Sequence, residues 1–294
     1  MKQVLGIGLE RHGDMIAPKL VLPAPMPVGE VMRGRDPEAV AQMMGRLFNL
    51  CGAAQSQAVR LSLGLPADDD DTRREILRDH MAKLFLFWPK ALGHASPPMP
   101  EGWQRAQPAL LRDLWGMGEI RDLDAWLVSG QGLSPLISAI DRLFAPHEAV
   151  ARVADLFDPM LKMAQENSPA GRMAFHPLMK QAEETRGRGP LWRALGRLLD
   201  LTRIITRPAG PVLRPDNTAL VAAARGTYAL RGHLAGGVVE TLERVTPTDH
   251  LLAPGGAMEL SLATLPWRKA GLAALVVDIL DPCIAVEIKG VPHA

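Results

Sequence analysis

Apolar and polar positions along this chain repeat with two different periods. Residues 2–9 and 15–22 are short runs rich in Val, Ile and Leu, parted by His12-Gly13-Asp14, the pattern of a β-hairpin or two paired strands. Pro23, Pro25 and Pro27 then make an extended connector. At Asp36-Pro37-Glu38 the period changes. Asp36 is placed to N-cap a helix and Pro37 to take its first position. The spacing predicts one helix running to about residue 63, where Gly64 and Pro66 end it. Leu47, Cys51, Ala54, Ala58 and Leu61 then share an inward face. A second helix is predicted over 72–92. The aspartate run at 68–71 before it reads as a solvated loop whose charge favours a helix N-terminus, in preference to a metal site. A Pro-rich loop covers about 95–109, and helices are predicted near 106–116, 122–128, 134–144, 147–165 and 188–206. From Arg225 the period returns to two: 225–234 and 238–245 flank Ala235-Gly236-Gly237, a hairpin signal. The apolar run 270–280 predicts a last helix, stopped at Asp281 because the residue before Pro282 is pushed out of the α region.

These elements predict an α+β chain, mainly α, with a helical core and small antiparallel β-elements near both ends. It is expected to form a single domain over 1–294. The N-terminal hairpin covers about 1–22, the helical core about 36–206, and a hairpin with the C-terminal helix about 220–290. There is no internal repeat and no low-complexity tract.

Composition narrows the function classes. A net charge of +1 offers no basic surface for nucleic acid and none for an anionic membrane. A single tyrosine among few aromatics argues against a base-stacking platform. The N-terminus has no apolar stretch of signal-peptide length, and the most apolar segment is interrupted by Asp278 and Asp281. Two cysteines are too few for a disulfide framework. A cytoplasmic protein with reduced thiols is expected, with no nucleic acid and no membrane among its partners.

Those two cysteines, Cys51 and Cys283, lie more than two hundred residues apart, and each has a conformationally marked neighbour, Gly52 and Pro282. A lone buried cysteine is usually a small hydrophobe. Taken alone, Arg225 reads as a salt-bridging strand residue and Thr248 as a turn cap. His80, His94, His147, His176, His233 and His250 show no metal-ligand spacing, and His293 reads as a solvent-exposed residue of the tail.

Taken together and in order, the motifs resemble the large subunit of nickel–iron hydrogenases. That family carries Arg-x-Cys-Gly-x-Cys-x-x-x-His near its N-terminus and Asp-Pro-Cys-x-x-Cys-x-x-His near its C-terminus. Here the first reads Cys51-Gly52-Ala53-Ala54-Gln55-Ser56-Gln57-Ala58 and the second Asp281-Pro282-Cys283-Ile284-Ala285-Val286-Glu287-Ile288-Lys289. In each motif the first cysteine is kept, while Ala54 and Val286 replace the second and Ala58 and Lys289 replace the histidine. Gly34-Arg35-Asp36-Pro37 is similar to the family's lead-in to the first motif. Ala224-Arg225-Gly226 is similar to its Ala-Pro-Arg-Gly segment, and Val245-Thr246-Pro247-Thr248 to its Val-x-Pro-Ser/Thr segment. Leu9-Glu10-Arg11-His12 resembles its Ile-Glu-Gly-His more weakly.

The resemblance implies a shortened large-subunit fold. It also implies that Arg225 and Thr248 bind the cyanides of an iron unit and that Cys51 and Cys283 are metal ligands. A guanidinium that cannot lose its charge and a hydroxyl suit cyanide acceptors, and thiolates suit low-spin iron or nickel. In the family the second cysteine of each motif bridges nickel to iron. Their loss speaks against a stable dinuclear centre, against nickel and against hydrogen turnover. The retained pair corresponds to terminal nickel ligands, so iron binding here either redeploys them or uses only one.

The pattern matches the HupK/HoxV group of hydrogenase accessory proteins. It implies a non-enzymatic scaffold that transiently binds Fe(CN)2(CO) and passes it to the hydrogenase large-subunit precursor, with HypC/HypD-type iron-delivery chaperones as further partners. Two alternatives stay open: a reduced hydrogenase-like oxidoreductase, and an interaction protein that kept the fold without a metal. Two more expectations follow from the resemblance. Arg225 serves the ligand and not the core. The five residues after Lys289 form no removable extension, and nothing locks the tail over Cys283, so it can open.

Overall fold

The structure, a computed structural model, describes residues 4–48, 50–68, 70–208 and 210–291. The N-terminal hairpin forms as the alternation predicts. Val4–His12 runs antiparallel to Met15–Val21 in the register His12↔Met15, with Leu5, Ile7, Leu9 and Ile16 facing inward. Residues 2 and 3 of the predicted first strand lie outside the described residues. The third strand of this sheet is Ala285–Lys289, which lies parallel to Val4–His12 with Leu5 opposite Val286 and Ile7 opposite Ile288. The expectation of an untied tail is therefore corrected: the segment after Cys283 is held by a strand ladder, and Val286 and Ile288 pack against the main core.

Two apolar clusters organise the rest. The larger surrounds the Pro190–Thr206 helix, whose residues are buried from Pro190 to Leu201 without a break. A helix apolar or paired on every side belongs in the interior of a fold. The smaller cluster packs the helices Pro37–Leu47 and Gly52–Ser62 against a four-stranded antiparallel sheet ordered Val212–Leu213, Thr218–Ala223, Gly226–Ala235, Val238–Val245. The predicted hairpin 225–245 forms the second half of that sheet.

Four helix predictions need correction. The single helix over 36–63 is two, because the chain folds back at Phe48. In one continuous helix residues seven apart would sit about 10.5 Å apart along the axis. Here Gly52 packs directly on the Gly45 backbone, so that a Cβ on Gly52 would collide with the Gly45 carbonyl. Cys51 thus stands at the N-cap of the second helix instead of inside the first. Residues 147–165 are irregular, with only two short parallel strands, Ala154–Asp155 and Gln165–Glu166. His147 and Ala149 have positive φ and Pro159 interrupts the run, and the backbone donates elsewhere, Ala149 N–H to Thr264 O and Ala151 N–H to Arg188 O.

The helix predicted over 72–92 starts at Asp70 and opens into a π-helical turn, Lys83–Phe87, before Trp88–Ala91. Pro89 has no N–H to give to the turn before it, and π-turns are concentrated at functional sites. The last helix begins as a 3-10 segment, Trp267–Leu272, and continues as Ala273–Leu280. It ends at Asp281 as expected, yet Asp281 adopts the left-handed region (φ 55°, ψ 59°) instead of an extended one. Aspartate is among the few residues that tolerate this conformation, and the cations described below hold its carboxylate there.

Candidate functional site

The fold brings the two motif cysteines together. Cys51, at the N-terminus of the Gly52–Ser62 helix, and Cys283, three residues beyond the Ala273–Leu280 helix, place their sulfurs 3.6 Å apart. Cys51 is buried and Cys283 half-buried, and both are free thiols. A hydrogen bond from Cys283 draws the Cys51 thiol below its ordinary value against the pull of burial, with the Gln55 amide adding to the effect. The same bond, with burial, raises Cys283. Cys51 is therefore the readier of the two to ionise.

Thr248 fixes the second sulfur. It lies in the short helix Pro247–Leu251, whose N-cap is Thr246 in a reciprocal box with Asp249. Capping thus falls to Thr246, which frees Thr248 for another task. Its Oγ1 accepts the Cys283 N–H at 2.9 Å, and the hydroxyl hydrogen is not taken up by that bond.

Arg225 precedes Gly226, which has φ 147° and sits so close to Asn167 that a side chain there would strike the Asn167 carbonyl. The Arg225 guanidinium donates to Leu50 O and to Asp281 Oδ1, both at 3.3 Å. It also lies 3.2 Å from Asp79. Its buried Nε sits 3.3 Å from Asp281 Oδ2, close enough for charge attraction, but has no hydrogen-bond partner among the described residues. Burial would lower the Arg225 pKa, but Asp281 and Asp79 raise it, so the charge is fixed. Arg225 and Thr248 line one small cavity of about 20 Å³, with Asn167, Arg193 and Asp281 also on its wall. That is room for about one water-sized group.

The expectation that Arg225 serves only a ligand is corrected here: it belongs to a buried ion network absent from the motif reading. Arg197, 3% exposed, donates to Asp79 at 2.8 Å and to Asp281 at 2.9 Å, with its guanidinium over the Trp88 ring. Lys83, from the π-turn, reaches Asp281 at 3.1 Å and Asp278 at 2.7 Å. Burial alone would raise Asp281, but Arg197, Arg225 and Lys83 hold it below the usual carboxylate range. Asp79 is likewise lowered, against burial, by His80 and the two arginines. Behind them the fully buried Asp200 takes His80 Nε2 at 2.9 Å and the guanidinium of Arg172, which outweigh its burial and keep it ionised. Glu75 accepts the Ala53 N–H at 2.9 Å at the start of the cysteine-bearing helix, and burial raises its pKa. No signal short of the fold itself would have picked out Asp79, Lys83 or Arg197.

At the other motif positions, Ala54 and Ala58 are fully buried in the smaller core, and Val286 and Lys289 lie on the C-terminal strand. Among the described residues no group of three or more His, Cys, Asp and Glu side chains could hold a metal ion. The site offers two cysteine sulfurs, flanked by a guanidinium and a hydroxyl, and backed by paired charges. Among the described residues no helix is long and apolar enough to cross a membrane.

Over 93% of its length the chain matches the nickel–iron–selenium hydrogenase of D. vulgaris Hildenborough in the reduced state, with TM-score 0.59, 12% identity and 94% of that chain covered. The reduced, active nickel–iron–selenium hydrogenase of Desulfomicrobium baculatum matches over 94% of this chain and 95% of its own, with TM-score 0.58 and 13% identity. The fold is that of the nickel–iron hydrogenase large subunit, α+β and mainly helical as expected, carrying one cysteine in each motif. No family model matches the chain. The hydrogenase expression/formation protein HupK of Rhodobacter capsulatus is 55% identical to it over 294 residues, the whole of both chains. The chain belongs to the HupK family of hydrogenase expression/formation proteins.

Proposed function

We propose that this protein is a maturation scaffold, not an enzyme, that binds Fe(CN)2(CO) as cargo between Cys51 and Cys283 and passes it to a hydrogenase large-subunit precursor. The observation that carries the reading is the pair of sulfurs 3.6 Å apart, with alanine and valine at the other two cysteine positions. Two metal–sulfur bonds of about 2.3 Å reach one ion across that span. A bare ion ordinarily takes three or four protein ligands. An iron that arrives with three diatomic ligands needs only two thiolates to become five-coordinate, so a two-thiolate site suits pre-assembled cargo and not a naked metal.

The flanking donors support the same cargo. Arg225 and Thr248 line one small cavity, the Thr248 O–H is not used by its bond to the Cys283 N–H, and a cyanide nitrogen is an anionic acceptor of suitable size. The absent bridging cysteines speak against a nickel site and against hydrogen turnover. Delivery follows from the same chemistry: HypC/HypD-type chaperones supply the iron unit and the large-subunit precursor, with all its cysteines, takes it.

The test is an infrared spectrum of the protein purified from cells making hydrogenase. Cyanide and carbonyl stretches, lost in Cys51→Ser and Cys283→Ser, are the expected result. A spectrum without them overturns the scaffold reading, and hydrogen uptake by the same sample would make the protein an oxidoreductase. Affinity capture from those cells is expected to recover the iron-delivery chaperones or the precursor.

A further inference from the structure

Gln55 carries a role at this site that the family motifs do not specify. It stands four residues after Cys51 on the same helix, so its side chain folds back over the helix N-terminus toward the sulfur. Its Nε2 lies 3.0 Å from Cys51 Sγ. Its Oε1 accepts the Tyr228 hydroxyl at 3.2 Å and an Arg244 N–H at 3.4 Å. The amide is 1% exposed and Tyr228 likewise 1%. Arg244 is in turn seated over the Phe48 ring, 4.4 Å from its centroid, where the chain folds back toward Cys51.

This arrangement fixes which way the amide points. A guanidinium has donors only, so the atom facing Arg244 must be the carbonyl oxygen. The NH2 group is then left to face the sulfur. Turning the amide over would set NH2 against the guanidinium and the carbonyl against a thiolate, two repulsive contacts in a dry site. Two donors on the oxygen also polarise the amide, which makes its N–H a stronger donor.

We infer that Gln55 is a positioning residue for the cargo: it holds the Cys51 sulfur on the Cys283 side and donates an N–H···S bond to the thiolate while that thiolate is bound to iron. The inference rests on the scaffold reading above. Outer-shell hydrogen bonds to ligating sulfurs orient the ligand and draw electron density from it. A thiolate bonded in this way gives less density to iron, and less reaches the antibonding orbital of the carbonyl. A weaker donor also lets go more readily, which suits a site that must surrender its cargo.

The test uses the full chain from hydrogenase-making cells. Gln55→Glu keeps the shape and the acceptor for Tyr228 and Arg244 but has no N–H. Gln55→Met keeps the length without any amide. In both, the carbonyl stretch is expected at lower wavenumber than in wild type, and less of the cargo is expected to leave for added large-subunit precursor. Tyr228→Phe, which removes one donor from Oε1, should shift the band the same way by a smaller amount and serves if either Gln55 variant fails to fold. Bands at wild-type positions in folded Gln55→Glu or, failing that, in Tyr228→Phe overturn the inference and leave the scaffold reading intact. A wild-type protein without bands overturns both.

Discussion

Replacing Arg225 by leucine separates the two tasks the structure gives this residue. Its guanidinium lies between Asp79 at 3.2 Å and Asp281 at 3.3 Å, with the side chain 9% exposed. Breaking a buried ion pair by removing one partner ordinarily costs about 3–5 kcal/mol, because the surviving charge is left uncompensated. Here neither carboxylate is stranded. Asp79 keeps Arg197 at 2.8 Å, and Asp281 keeps Arg197 at 2.9 Å and Lys83 at 3.1 Å, all closer than Arg225 stands to either carboxylate. The expected cost falls below that range, to on the order of 2 kcal/mol. Arg197→Leu removes the two shorter bonds and the cation over Trp88, and its expected cost is about 4 kcal/mol. With roughly 2–3 °C of melting temperature per kcal/mol for a chain of this length, Arg225→Leu should melt about 5 °C below wild type and Arg197→Leu about 10 °C below. Calorimetry measures both. The infrared bands of bound cargo should vanish from Arg225→Leu even at temperatures where it is folded. Equal drops in melting temperature for the two variants would refute the reasoning about surviving counter-charges. An Arg225→Leu protein that keeps its bands unshifted would refute the binding role.

Further outcomes follow from the same geometry. A mild disulfide-forming oxidant should join Cys51 to Cys283, seen as the loss of two hydrogens in the intact mass and absent from Cys283→Ser; failure to cross-link would mean that the sulfurs do not meet. Thr248→Val leaves the Cys283 N–H without its acceptor and should destabilise the chain by about 1–3 kcal/mol, whereas Thr248→Ser should melt with wild type. Asp79, Asp200 and Asp281 have folded pKa values below the unfolded value of about 3.9, so at low pH the unfolded chain binds protons first. The stability they contribute should be full above about pH 5 and be lost progressively as the pH falls from there toward the depressed folded values. A urea midpoint that does not move between about pH 5 and 3 would contradict the network.

The parts of the fold legible in the sequence were those whose information is local. The N-terminal hairpin has its alternation and its turn in adjacent residues, and the 226–245 hairpin has Gly236-Gly237 between two alternating runs. Ala285-Val286-Glu287-Ile288-Lys289 alternates as cleanly, but five residues make a strand only beside a partner, and its partner begins at Val4. The strand Thr218–Ala223 is rich in alanine, a poor strand former, and is held by the neighbour that follows it. The break at Phe48 was hidden because apolar spacing continues across it: Ala54 and Ala58 face the core, while Leu47, from the same predicted stripe, is half exposed on the other side of the turn.

The site divides along the same line. Cys51, Arg225, Thr248 and Cys283 could be found because each sits in a short motif with a fixed neighbour, and the fold sets them around one place. Asp79, Lys83, Arg197 and Asp281 could not be read as a group, because a charged residue on a helix is most often solvated and nothing local marks the exception. Arg197 meets Asp79 from 118 positions away and Asp281 from 84. What makes these charges tolerable in the interior is that each carboxylate is shared by at least two cations, and this is a property of three helices meeting. It also explains why Arg225 can stay charged in a place where an isolated ion would be expelled: Asp79 and Asp281 both lie against its guanidinium.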